Sequence, residues 1–487
     1  MVGKVLLGED RGGPPRPPPI NPNLRNGFVK GWEKFGLIIS QAIRINYPFS
    51  MDPLTVSEWI CHSKTKQQPL RADCESATVV SNLAGPTMPA LVYYRSVPRY
   101  LAAKGAHRLW PRRFFAGLAP LRLQEVPLPV PPPHWVLLQN HLCGICGSDL
   151  NLLRGSESFL LEPYVSFPAI LGHEIVARVA RAPEDSPWRR GQRVVVEPVL
   201  SCQVRGLPPC RYCAQGAYNL CEAFTQGPLA PGAMMGFHRS VGGGMAAFLA
   251  APPQRLVRLP DELPDELAVL TDSLASALQP VLHHFPADDS LVVVYGGGII
   301  GQHVIRLLRH LGCRAGIIAV VRHRFQHDLA VAGGADEVLL GPHRRELGAA
   351  LQARWLPTTL GGGNLEGGAD YFFDCAGGRH ALQEGLLALR SRGNYIMVAS
   401  TAGVGRLDVS SVWFRELRLT GSSLYATAPY QGRQVHTYSL AVDILASGSY
   451  PSQGLLTHIY PLADYRQALQ TAMAKAKSQS VKVALRL

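Results

Sequence analysis

Residues 291–312 read LVVVYGGGIIGQHVIRLLRHLG, and their order decides the fold. The first five are apolar and β-prone. Gly296, Gly298 and Gly301 then satisfy G-x-G-x-x-G, and an amphipathic helical stretch follows. Strand, glycines and helix in that order form a turn where backbone N–H groups approach a pyrophosphate while the helix N-terminus faces the same anion. A second apolar strand begins at Gly316 (GIIAVV). The stretch therefore predicts a Rossmann-type α/β unit that takes a nicotinamide dinucleotide.

The end of that second strand bears on which dinucleotide. An NAD site usually carries an acid about 20 residues after the glycines, where it accepts from the ribose hydroxyls. Here Val320 and Val321 occupy that position, followed by Arg322, His323 and Arg324. Without a carboxylate, and with Arg322 and Arg324 available to pair with a 2′-phosphate, the reading favours NADP over NAD.

Working outward, helical stretches alternate with buried strands (YFFDCAG, NYIMVAS) on the C-terminal side, as a doubly wound parallel sheet requires. LPDELAVLTDSLASALQPVLHHF reads as the helical entry to this unit, with Pro264 and Asp265 near its start. Between about 120 and 260 short strands separated by Pro and Gly indicate a β-rich domain, and MPALVYYRSVPRYL reads as its opening strand. The expected divisions are 88–274 for the β-rich domain, 275–426 for the Rossmann domain and 427–487 for a tail ending in a strand, VKVALRL. Residues 1–87, with GGPPRPPPINPN and one short helical stretch, are expected to be a poorly ordered extension, with translation starting further downstream.

Composition bounds the function. Of 487 residues 47% are hydrophobic and 17% charged, which suits a globular enzyme of more than one core. The formal charge of +13 comes from scattered Lys and Arg, without a polybasic run or interleaved aromatics, so nucleic acid is not an expected partner. No apolar run reaches a membrane span and no secretory signal is recognisable, so a cytoplasmic protein is expected.

Ten cysteines are too few for a disulfide scaffold, yet Cys202, Cys210, Cys213 and Cys221 fall within CQVRGLPPCRYCAQGAYNLC. Four thiolates in one short lobe (198–224) suit a closed structural zinc site; a disulfide pair and an iron–sulfur centre are the alternatives. A further C-x-x-C, Cys143 and Cys146, lies in LCGICGSDLN (142–151) and reads as a redox pair, part of a metal site, or buried thiols.

Taken in order, GICGSD, GHE (172–174), GQRVVVEP, the cysteine lobe ending YNLCE, and GGGIIG resemble the zinc-dependent medium-chain alcohol dehydrogenase family, in its polyol and threonine dehydrogenase-like branches. The resemblance covers roughly 88–487. It implies a GroES-like catalytic domain interrupted by the Rossmann domain, two zinc ions per chain, and a homodimer or homotetramer. It also implies hydride transfer between NAD(P) and a secondary alcohol, polyol or amino alcohol. Cys146 and His173 match catalytic zinc ligands, with Asp272 as the third. Glu174 matches the family's zinc-proximal glutamate, Asp149 an acceptor for the His173 imidazole, and Ser148 the hydroxyl that takes the alcohol proton. Cys143 then packs without chemistry. Asn151 departs from the pattern, because many relatives carry a histidine there to finish the proton relay; Gln279 departs likewise, and the spacing from Cys202 to Cys210 is longer than usual. Alternatives are a zinc-independent quinone or enoyl reductase and a nucleotide-binding sensor without turnover.

Overall fold

The computed structural model describes residues 85–360 and 362–487. The proposed extension and its short helix therefore lie outside the described residues, apart from the last few before Met88. Two sheets organise what is described.

The first is a six-stranded parallel sheet in the spatial order Glu337–Leu340, Gly316–Val321, Leu291–Tyr295, Ala369–Asp374, Leu389–Met397, Arg418–Gly421. Val292, Val293 and Val294 are buried on both faces, as a central parallel strand demands. The chain leaves Leu291–Tyr295 for one side and later returns to place Ala369–Asp374 on the other. The switch point therefore opens at the carboxyl ends of these two strands, where α/β sheets hold their ligands. Gly296 sits there with φ +114°, and a Cβ on it would press on the backbone of Cys375 and Ala376.

The second sheet is built on Val136–Gly144, flanked on one side by Glu174–Arg181, Arg193–Val196 and Leu256–Arg258, all antiparallel, and paired also with Phe248–Ala251. On its other side lies the C-terminal strand Lys482–Arg486, which pairs antiparallel with Leu142–Gly144 and parallel with Leu456–Pro461. The last residues of the chain are thus sheet neighbours of the strand that ends in GICGSD. Leu138, Ile175, Val194 and Leu485, each from a different strand of this sheet, join one buried apolar cluster. A one-residue slip of any of these strands would turn its member of the cluster to the other face, so the cluster specifies the register.

Two local expectations change. MPALVYYRSVPRYL is a strand only over Thr87–Tyr93; a helix, Val97–Leu109, follows with Pro98 in its first turn, where the missing N–H is harmless. The helical entry to the parallel sheet is two helices, Asp265–Ala268 and Thr271–His283, the second containing Pro280. Among the described residues no helix is long and apolar enough to cross a membrane.

Candidate active site and metal centres

The strand Val136–Gly144 delivers Cys146 to the start of a helix, Gly147–Arg154. Cys146 is its N-cap, and the Asp149 carboxylate reaches back to accept the Cys146 N–H at 2.9 Å, closing a capping box. Gly155 ends the helix in the left-handed conformation at φ +65°. Asp149, Leu150, Leu152 and Leu153 are buried, which leaves Ser148 and Asn151, one helical turn apart, on the half-exposed stripe. Strand register then sets the opposite wall. Gly144 stands across from Glu174, and a Cβ on Gly144 would overlap the Glu174 carboxylate, so glycine is the residue that lets this close approach occur.

The consequence is a cluster in which the Cys146 sulfur, a His173 nitrogen and a Glu174 oxygen all lie within 4.8 Å of one another. His173 is buried, with its Nδ1 3.9 Å from Asp149 Oδ1, and both of these atoms lack a hydrogen-bond partner. Burial would push the imidazole pKa down, but the Cys146 sulfur and the Asp149 carboxylate raise it to about 10. Anionic donors are in excess around one imidazole, as a cation site requires.

Asp272, in the first turn of Thr271–His283, is buried nearby but stands outside that three-residue group. Its Oδ2 accepts from the Tyr425 hydroxyl, and burial, with Glu174 close by, raises its carboxyl to about 6. Glu174 is not free either. Lys482, from the C-terminal strand, donates to both its oxygens at 2.5 Å, and the pair is fully buried. Sequence reading missed Lys482 and Tyr425. For Lys482 a signal existed: a lysine inside the apolar run VKVAL has no reason to be buried unless something pairs with it.

Cys143 is buried with its sulfur packed beside Gly172 and Gly244, away from the three-residue cluster. The amide of Asn151 faces the half-buried carboxyl of Glu157, which burial raises and whose Oε1 has no partner. Gln279 is a structural tie: it accepts from the Ala426 N–H and the Thr437 hydroxyl, and donates to the Thr427 carbonyl.

In the lobe, the sulfurs of Cys202, Cys210, Cys213 and Cys221 also lie within 4.8 Å of one another, and all four are free thiols. Backbone N–H groups of Cys210, Glu222 and Ala223 point at Cys202, Cys210 and Cys221 sulfurs. Burial opposes ionisation, yet N–H donation from Cys213 and Glu222 brings the Cys210 thiol down to about 6. Four sulfurs converging without a bond between them fit a tetrahedral metal better than a disulfide pair.

At the glycine turn, Gly298 is the N-cap of Ile299–His310, and a Cβ on Gly301 would overlap the Gly296 carbonyl. Glycine is thus required at Gly296 and Gly301, while Gly298 leaves open room above the turn. Arg322 and Arg324 are both exposed at the end of the neighbouring strand. Arg324 pairs with Asp328 at 3.4 Å, while the Arg322 and His323 N–H groups are held by Gln326.

A thiol–imidazole–carboxylate cluster, a dinucleotide cradle and a four-sulfur lobe in one chain define a metal-assisted, dinucleotide-linked oxidoreductase. Comparison with known proteins agrees. Residues 132–261 match the alcohol dehydrogenase GroES-like domain family, and residues 300–445 the zinc-binding dehydrogenase family. An erythritol/L-threitol dehydrogenase of Mycolicibacterium smegmatis is 28% identical over 382 residues, 75% of this chain and 94% of that protein. An L-threonine 3-dehydrogenase of Anaeromyxobacter dehalogenans is 28% identical over 344 residues, 70% of this chain and 89% of its own length. Among solved structures, 2R,3R-butanediol dehydrogenase from Bacillus subtilis superposes with TM-score 0.61 at 22% identity, covering 82% of this chain and 99% of its own. The chain belongs to the zinc-binding, medium-chain alcohol dehydrogenase family.

Proposed function

We propose that this enzyme oxidises a secondary alcohol, polyol or amino alcohol reversibly, using one catalytic and one structural zinc and NADP or NAD. The observation that carries the reading is the convergence of Cys146, His173 and a carboxylate within reach of one ion. The residues fit both groups: the ligand set is soft–borderline, and His173 Nδ1 is aimed at Asp149, leaving the other ring nitrogen for metal. Zinc bound there supplies Lewis acidity that lowers the pKa of an alcohol oxygen, and the nicotinamide accepts the hydride.

The protein's own groups do the rest. Cys146 and His173 would hold the ion, with Asp272, which here accepts from Tyr425, or Glu174 as the third ligand. Asp149 fixes the imidazole. Cys202, Cys210, Cys213 and Cys221 hold the structural zinc. Ser148 takes the alcohol proton; Asn151 stands where relatives carry the histidine that finishes the relay, and its amide meets the Glu157 carboxyl. Gly296, Gly298 and Gly301 receive the pyrophosphate, and exposed Arg322 supports the preference for NADP, with Arg324 partly engaged by Asp328. Free thiols throughout the described residues support a reducing, cytoplasmic setting.

Metal analysis with an alcohol panel run on both cofactors tests this. About two zinc ions per chain and turnover of vicinal or secondary alcohols are expected; activity in metal-free protein would sink it, and better efficiency with NAD would reverse the cofactor preference. We further infer a homodimer. The strand Arg418–Gly421 is an exposed sheet edge, and Trp413 and Phe414 beside it are 73% and 72% exposed. Such an edge needs a cover, and a second copy of the same edge supplies one. Sedimentation should show a dimer that Trp413→Glu dissociates; a monomeric wild type would refute it.

A further inference from the structure

The strands Thr87–Tyr93 and Leu121–Pro127 pair antiparallel from end to end, with Tyr93 opposite Leu121. An ordinary hairpin would join them with roughly two to five residues. Residues 94–120 are instead an excursion that holds the helix Val97–Leu109. Strand pairing does not require this excursion, yet it is tied down. The Gln470 side chain accepts from the Phe114 N–H at 2.9 Å and donates to the Arg112 carbonyl at 2.9 Å. At Gly155 the helix packs so close that a Cβ would meet Lys104 and the Tyr100 carbonyl. Of its own residues the helix buries only Ala103 and His107 against the described residues. Helical stability in a protein comes mostly from a packed face, and here most of the helix surface has no partner.

That surface is basic and apolar together. Residues 94–120 contain Arg95, Arg99, Lys104, Arg108, Arg112 and Arg113, and neither Asp nor Glu. Among the described residues only Arg95 has a carboxylate partner, Glu162. The six are spaced too widely to read as a polybasic run, but the helix gathers them. Val97, Leu101 and Leu109 recur at multiples of four residues and share one stripe, with Lys104 and Arg108 alongside. Leu101 is 55% exposed, Leu109 69%, and Trp110 at the helix end 57%. Phe159 and Leu160 extend the patch: the Lys104 ammonium lies over the Phe159 ring at 5.7 Å, and Leu160 is 85% exposed.

Charge selects the partner. A second copy of this chain is itself basic, at +13, and residues 1–84 carry 10 Lys and Arg against 7 Asp and Glu, so neither supplies the missing negative charge. Nucleic acid would answer the charge but leave the leucines in water. An anionic bilayer answers both: its headgroups meet the Lys and Arg side chains, its acyl boundary takes Val97, Leu101, Leu109 and Leu160, and Trp110 suits the interface between them. We propose that the excursion 94–120, with Phe159 and Leu160, docks this protein on an anionic phospholipid surface, lying on the membrane without crossing it.

Co-sedimentation of the full-length protein with vesicles tests this, using phosphatidylcholine alone and phosphatidylcholine mixed with phosphatidylglycerol. The wild type should bind the anionic vesicles, come off them as salt rises, and ignore the neutral ones. Lys104→Glu combined with Arg108→Glu should lower the partition coefficient by roughly 100-fold or more, since each basic residue near the surface contributes about fivefold and reversal counts twice. Leu101→Ser combined with Leu109→Ser should lower it by roughly tenfold or more, through lost apolar burial. All four side chains are exposed, so both variants should keep the wild-type melting temperature, which separates lost docking from lost folding. A wild type that stays in the supernatant with anionic vesicles would overturn the proposal. So would a double-serine variant that binds as well as the wild type, because charge alone would then carry the contact. Tighter binding to duplex DNA than to the anionic vesicles would also overturn it, by giving the surface to nucleic acid.

Discussion

Replacing Cys146 with alanine is expected to abolish alcohol oxidation, by roughly 10³-fold or more, while the protein stays folded. The reasoning starts from the donor count. Cys146, His173 and Glu174 are the described residues here whose donor atoms converge closely enough to hold one ion, and removing the sulfur leaves an imidazole and carboxylates already committed to other partners. A Lewis acid contributes several kcal/mol to stabilising charge on the reacting oxygen, and about 4 kcal/mol corresponds to roughly three powers of ten in rate. Metal content should fall from about two to about one per chain, because the four-sulfur lobe is a separate site. Retention of both ions with full activity would show that Cys146 is not a ligand. Asp272→Ala discriminates further. If Asp272 is the third ligand, it should lose the same ion; if Glu174 takes that place, the ion should stay.

Lys482→Met is expected to be the most destabilising single change in the catalytic half. Lys482 is 2% exposed and Glu174 1% exposed, and the ammonium donates to both carboxylate oxygens at 2.5 Å. Removing the lysine strands a buried carboxylate, at a cost of about 3–5 kcal/mol. Glu174→Gln combined with Lys482→Met should recover much of that loss, since the uncompensated charge disappears with its partner. Zinc should also moderate the effect, because a freed Glu174 lies within reach of the Cys146–His173 ion. Chemical denaturation of the wild type, both single variants and the double, with and without zinc, measures this; a double variant as unstable as Lys482→Met would refute it. Burial lowers the Lys482 pKa, but Glu174 and Cys146 raise it above the ordinary 10.5. A raised lysine pKa means the pair's contribution is fully present below about pH 10.5 and fades only at more alkaline pH.

Much of the fold was legible because the decisive signals are local. The valine-rich strand before Gly296 and the amphipathic helix after it each state their own periodicity, and the glycines between them are imposed by contacts at the turn itself and with the neighbouring strand end. The same holds for the cysteine lobe, where all four sulfurs come from one short loop. Cys146 and Asp149 were singled out through the family motif; that they also form a cap and its N3 partner is what the helix itself adds. The helix at Val97–Leu109 was missed because its sequence has weak helical patterning and follows a strand after only three residues.

What the sequence by itself determined is therefore the class of chemistry: a dinucleotide cradle, a four-sulfur lobe, and a cysteine and histidine in fitting motifs. Which carboxylate meets them, and which cations answer, was decided by tertiary structure. Gly144 is set opposite Glu174 on one side and Ala484 on the other by antiparallel register. That register carries Lys482 across a separation of 308 residues onto Glu174, while Tyr425 reaches Asp272 across 153. No local pattern encodes such pairs. They exist because a buried charge must find its partner wherever the fold brings the chain back, as the final strand does with Lys482.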